Sequence, residues 1–168
     1  AETALQELRQ ILQVLRSETG DTNAAEPPQP TLAELHQLVE DARRGDAVVE
    51  IVTAGLASSL DQLPQTTSRH AFRIVQECLT NAGKHAAGAP VAIELAGRAG
   101  DALIITVTNP APDAAVDAPP GAGLGLVGMA ERVDVLGGHL EHGPLPAGGY
   151  RVQARLPWPQ AQPEERHG

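Results

Sequence analysis

Two β-prone runs, VAIELAG at 91–97 and ALIITVTN at 102–109, flank the polar segment RAGD, and the three together read as a hairpin. A second pair, HLEH at 139–142 and YRVQARL at 150–156, is joined by GPLPAGG and reads as a closing hairpin. Antiparallel pairs of this kind exclude a purely parallel sheet, so the segments between them must cover one face of a mixed one. Those segments have helical periodicity. Thr31 and Glu34 form a capping-box pattern ahead of Leu32, Leu35, Leu38, Val39 and Ala42, and Gly45 stands where a C-terminal cap belongs. AVVEIV at 47–52 is a strand candidate, and TSRHAFRIVQECLTNAGKHA at 67–86 sets Phe72, Val75, Leu79 and Ala82 on one stripe. A last helix, LGLVGMAERVDVLGG, starts at Leu124 and ends at Gly137 and Gly138. This order predicts an α+β fold: a two-layer α/β sandwich with a mixed sheet covered by helices on one face.

The flanks have a different character. In ALQELRQILQVLR, Leu5, Leu8, Leu12 and Leu15 alternate at spacings of three and four, with Ile11 widening the stripe. Such a seam of about two heptads is too short to stand alone, so it is expected to pack on a helix from elsewhere in a longer parent or from a second chain. A helix folded back onto the main domain is the alternative. Residues 1–19 are therefore read as a bundle helix, 20–31 as a linker, 32–157 as the main domain and 158–168 as a disordered tail. Residues 110–122, PAPDAAVDAPPGA, contain four prolines and little apolar bulk, and read as a mobile loop. The chain begins at an alanine and has no apolar run of membrane-spanning length, which reads as a soluble piece of something larger.

Composition narrows the function. A net charge of −9 and only Phe72, Tyr150 and Trp158 as aromatics leave neither the positive charge nor the stacking platform that nucleic acid requires. The lone Cys78 excludes a disulfide framework and a cysteine-rich zinc site. A small anion remains possible, because backbone amides at a helix start can hold one inside an acidic surround.

That possibility meets a specific sequence. In GAGLGLVGM, Gly123, Gly125 and Gly128 have the G-x-G-x-x-G spacing of a dinucleotide turn, but no strand precedes them and no parallel strand follows the helix. No G-x-x-x-x-G-K-[ST] occurs either. What the glycines do offer is exposed N–H groups at a positive helix end, a seat for phosphate, with a ligand-free hinge as the alternative. A second cluster adds to them. Glu77, Asn81, Lys84 and His85 stand at i, i+4, i+7 and i+8 and share one face of the helix at 67–86. A solvated face explains their polarity but not the mixture of carboxylate, carboxamide, ammonium and imidazole. That set can hold Mg²⁺ through Asn81, meet phosphates through Lys84, and orient or deprotonate a group through Glu77.

RIVQECLTNAGKHA followed by GAGLGLVGMAERVDVLGGHLEHGPLPAGGYRVQARLPW closely resembles the N box and G box of the ATP-binding domain of sensor histidine kinases. That domain belongs to the superfamily that includes gyrase and Hsp90, and the subgroup resembled pairs with response regulators carrying a helix-turn-helix output domain. The resemblance spans roughly residues 32–157, and LQELRQILQVLR resembles the end of the second dimerisation helix. It implies a Bergerat-type fold, ATP and Mg²⁺ as cofactors, Asn81 as metal ligand, Glu77 as the catalytic polarising carboxylate, and Lys84 and His85 as phosphate-side contacts. Gly121, Gly123, Leu124, Gly125 and Leu126 would shape the loop over the phosphates, with 110–122 as the ATP lid. Partners implied are a response regulator and the dimerisation and phosphoacceptor helices of a homodimeric parent, with no nucleic acid and no membrane contact by this piece. The location implied is cytoplasmic, the parent being free to carry a membrane anchor.

Two departures from the family pattern concern the base. Where the family has an aspartate that accepts from the adenine amino group, VTNPAP places Asn109. A carboxamide can accept that bond, and when flipped it can complement guanine, so reduced adenine selectivity is expected. Tyr150 stands near where many relatives have a threonine. As for a phosphoacceptor, His36 in LAELHQLVED lies after the bundle helix and linker, the wrong order for one, and His70, His139, His142 and His167 carry no supporting motif. The expected function is thus an ATP-binding kinase portion without its own acceptor histidine. A serine kinase of the same fold acting on an antagonist protein, and a degenerate interaction module, are the alternatives.

Overall fold

The computed structural model describes residues 28–56, 59–110 and 123–160. The segment read as a bundle helix, most of the expected linker, all but the first residue of the expected lid at 110–122, with Gly121, and residues 161–168 lie outside these. The described elements are α1 (Leu35–Arg44), β1 (Val49–Val52), α2 (Gln65–His85), β2 (Val91–Gly97), β3 (Asp101–Asn109), α3 (Leu124–Val135), β4 (His139–Pro144) and β5 (Tyr150–Trp158). Short 3-10 turns, Leu32–Glu34 and Leu60–Gln62, precede α1 and α2. No helix among the described residues is long and apolar enough to cross a membrane.

The five strands form one mixed sheet in the order β1-β2-β3-β5-β4. β1 pairs with β2 in parallel, while β2 with β3, β3 with β5 and β5 with β4 are antiparallel. Alternation decides which face is covered: Ile93, Leu95, Leu103, Ile105, Ala154 and Leu156 are buried among the helices. Glu94, Thr106, Gln153 and Arg155 point to the other, polar face. This is the one-sided α+β sandwich the hairpins require.

Local chemistry sets the helix ends. The Thr31 hydroxyl accepts from Ala33 N at 3.3 Å, and Glu34 Oε2 accepts from Thr31 N at 2.7 Å. The Thr31 N–H, and the Thr31 hydroxyl donating to Glu34 Oε2 at 2.8 Å, hold the Glu34 carboxyl below the usual range. This capping box starts the 3-10 turn that leads into α1, and Leu32 N donates to the buried Ser68 Oγ at 3.0 Å, tying the turn to α2. At the other end of α1, Arg43 donates through Nε and Nη2 to Val49 O at 3.1 and 2.6 Å. The guanidinium thereby closes part of the open edge of β1.

Two boundaries differ from the sequence reading. α2 begins at Gln65, earlier than its apolar stripe, because Pro64 O accepts from Ser68 N at 2.9 Å and opens the first turn directly. The second difference concerns Trp158, read as the first residue of a disordered tail. It belongs to β5, is fully buried, and donates through its indole to Gln62 O at 3.3 Å. The intervening Pro157 had obscured this. Since Trp158 O accepts from Gly100 N on the β3 side, the Pro157 nitrogen faces the β4 side, where pairing already ends at His139–Arg155. No ladder bond is lost there. Trp158→Ala is expected to cost about 3–5 kcal/mol of stability, read by urea denaturation.

Candidate functional site

The site grows from the contact between α2 and α3. These helices lie antiparallel: Gly125 in the first turn of α3 meets Glu77 and Asn81, while Cys78 Sγ lies 3.8 Å from Met129 Sδ. Further along, the Arg132 charge reaches His70, whose pKa is lowered first by burial and then by that charge. Met129 and Val133 are fully buried and anchor α3 to the core. Burial, with the Glu77 charge adding to it, pushes the Cys78 thiol up to about 12. That thiol is a packing group.

Gly125 is what permits the close approach. A Cβ at this position would stand 3.2 Å from Glu77 Cδ and 3.4 Å from Asn81 Nδ2, and closer still to Glu77 Oε1. The nearest atom, Glu77 Oε1, ends a flexible side chain, so a Cβ there would turn the carboxylate aside. Gly125 lies in α3, which starts at Leu124 as its sequence predicts, and Gly123 is the residue that caps it. Among the described residues no side chain completes that cap. The first N–H groups of a helix have no intrahelical acceptors, so the positive end of α3 opens beside the Glu77 carboxylate and Asn81 carboxamide.

Glu77, Asn81 and His85 are half-buried on this face of α2, and Lys84 is exposed. Lys84 and His85 also occupy the last turn, where a cation offsets the negative helix end, so a helix-stabilising role accompanies any role toward a ligand. Leu126 is half-buried and packs against the core. Leu124 opens α3; its side chain, like Gly121, lies outside what the structure describes. Asn109 stands apart as the last residue of β3, half-buried, its Nδ2 donating to Pro110 O at 3.3 Å. Its cross-strand partner is Tyr150.

Histidines without a motif fall as follows. His36 is exposed on α1, and His139 lies 3.5 Å from Glu141 on the exposed edge strand. His142 is different, since its Nδ1 lies 2.7 Å from Tyr150 Oη. Spacing alone gave no sign of that pair, which depends on the β4–β5 register.

Comparison with known proteins follows this geometry. Residues 66–160, which span α2 to the end of β5, match the family of histidine kinase-, DNA gyrase B-, and HSP90-like ATPases. The chain belongs to this family. The sensor histidine kinase YxjM of Bacillus subtilis strain 168 is 30% identical over 132 residues, covering 79% of this chain and 30% of that protein. The chain thus spans under a third of that relative's length. The histidine kinase domain of the Erythrobacter litoralis EL346 blue-light activated histidine kinase is similar at a TM-score of 0.54 and 25% identity, covering 87% of this chain and 70% of that one. The mycobacterial sensor histidine kinase MprB gives the same TM-score at 21% identity over 79% of this chain and 99% of its own, a likeness of fold. The mixed sheet under helices is thus the fold of histidine kinase ATP-binding domains within this ATPase family.

Two glycines on these helices make contrasting predictions. Gly83, an interior residue of α2, has nothing within 4 Å of a built Cβ, so Gly83→Ala is expected to raise unfolding free energy by about 0.5–1 kcal/mol. Gly125→Ala is expected to raise it by less, because the same propensity gain is offset by displacement of the Glu77 carboxylate. Urea denaturation of the two variants checks the order.

Proposed function

We propose that this chain is the ATP-binding catalytic portion of a sensor histidine kinase, positioning Mg·ATP for attack by a histidine supplied by the parent's dimerisation helix. The phosphoryl group would pass on to a response regulator, in the cytoplasmic part of a homodimeric parent. One observation carries the reading: Gly125 lays the uncapped start of α3 against Glu77 and Asn81. Membership of the ATPase family supports it, as does the likeness to YxjM.

The donor set suits a hard cation shared with phosphates. Among the described residues no group of three or more His, Cys, Asp or Glu could cage a metal. Mg²⁺ typically takes only one or two protein oxygens and completes its shell with water and phosphate. Asn81 would hold it through the carboxamide oxygen, with Glu77 alongside as the polarising carboxylate. When bound, the metal supplies charge neutralisation on the phosphates. The protein's own part is placement. The α3 N–H groups, through Gly123, Leu124, Gly125 and Leu126, receive phosphate oxygens, Lys84 and His85 add contacts on the same side, and Gly121 continues the loop. Asn109 meets the base. Phosphoryl transfer needs alignment and electrostatic stabilisation more than covalent chemistry, and these residues are equipped for both.

Calorimetric titration with Mg·ATP and Mg·GTP tests the reading. Asn81→Ala is expected to weaken ATP binding on the order of tenfold to a hundredfold, the range for disturbing a metal's ligand environment. Asn109→Asp is expected to sharpen the preference for ATP over GTP, since a carboxylate accepts but cannot present a donor to guanine O6. Tight Mg·ATP binding unaffected by Asn81→Ala would defeat the site assignment.

A further inference from the structure

The β3–β5–β4 end of the sheet holds a pair of side chains that the nucleotide reading does not use. Tyr150 shares a face with the buried Val152, Ala154 and Leu156 and packs against the core from the sheet end. Asn109 is its direct cross-strand neighbour on β3, and Pro144 its neighbour on β4. The tyrosine therefore sits between two strands and its ring has two ways to lean. It leans toward β4. Tyr150 Oη is 2.7 Å from His142 Nδ1, and the two rings lie 6.1 Å apart with 26° between their planes. Either imidazole tautomer serves, because the phenol donates to a bare Nδ1 and accepts from a protonated one.

On the β3 side stands the Asn109 carboxamide. Among the described residues Asn109 makes one side-chain hydrogen bond, from Nδ2 to Pro110 O at 3.3 Å, and its Oδ1 accepts none. The backbone there is held close by Gly149, whose φ of +96° is unfavourable for any other residue. A Cβ on Gly149 would lie 2.7 Å from Pro110 Cα, so the β4–β5 turn is pressed against the Asn109–Pro110 backbone. A phenol swung from β4 toward β3 would come to rest over the carboxamide, in cross-strand contact range.

We propose that His142 is a positioning residue that holds the Tyr150 ring over β4 and so keeps the Asn109 carboxamide open to a purine base. The inference rests on the nucleotide-site reading above and deepens it. His142 touches no ligand and acts through Tyr150 alone. Burial raises the Tyr150 pKa, which keeps the phenol neutral and able to exchange donor and acceptor roles with the imidazole.

Calorimetry on the full chain, with Mg·ATP and Mg·tripolyphosphate as separate ligands, tests this. His142→Ala is expected to raise the Kd for ATP about fivefold, the scale of one lost neutral hydrogen bond, and to leave the tripolyphosphate Kd unchanged. His142→Asn places a polar atom near the Nδ1 position and is expected to restore ATP binding to within about twofold. The double variant His142→Ala/Tyr150→Ala, which removes the obstructing ring, is expected to restore it as well. Unchanged ATP affinity in His142→Ala would overturn the inference, as would a double variant that stays weak, or a parallel loss of tripolyphosphate binding. Absence of ATP binding by the unaltered chain would overturn the nucleotide reading itself, and this inference with it.

Discussion

The approach of α3 to α2 at Gly125 is the contact on which the rest depends. Glu77 and Asn81 lie half-buried one turn apart on α2, and the first turn of α3 comes against them at Gly125. Met129 and Val133 then anchor the helix in the core, with Met129 against the buried Cys78. The geometry thus joins a packing requirement to a chemical one. A side chain at 125 would turn the Glu77 carboxylate away from the helix start it faces. The contact brings polar side chains of α2 beside the backbone N–H groups that start α3, a combination suited to a phosphate–metal pair.

The sheet supplies the rigid floor. Among the described residues helices cover one face of its five strands, and the candidate site groups lie on that side. Trp158 closes the far end of that face beneath Gln62, while Asn109 and Tyr150 end the near side of β3 and β5 together. In the proposed function, base-side and phosphate-side groups come from different elements, one from strand ends and the other from two helices. Substitutions at the strand ends would then alter base recognition without disturbing α2 and α3, which is the logic behind the separate roles proposed for Asn109 and Asn81.

Local patterns were the legible part of this architecture. The stripe of Phe72, Val75, Leu79 and Ala82 marks α2, the RAGD turn marks the first hairpin, and the Thr31–Glu34 box appears at the turn that starts α1. Glu77 and Asn81 share a face because 3.6 residues make a turn, so their companionship was also readable. What depended on long-range register was not. That α3 docks with Gly125 against Glu77, and that His142 pairs with Tyr150, follow from how elements pack and which residues stand opposite. Trp158 escaped for a local reason: Pro157 reads as a strand terminator unless the side its nitrogen faces is known to be unpaired.

The central claim is that the cation and the phosphates meet where α3 rests on α2. Paramagnetic broadening by Mn²⁺, titrated into isotopically labelled protein with and without ADP, addresses this directly. The account predicts that the Asn81 side-chain amide and the Gly125 backbone amide broaden first, and only when nucleotide is present. Sharp signals at both positions, with broadening centred elsewhere, would contradict it.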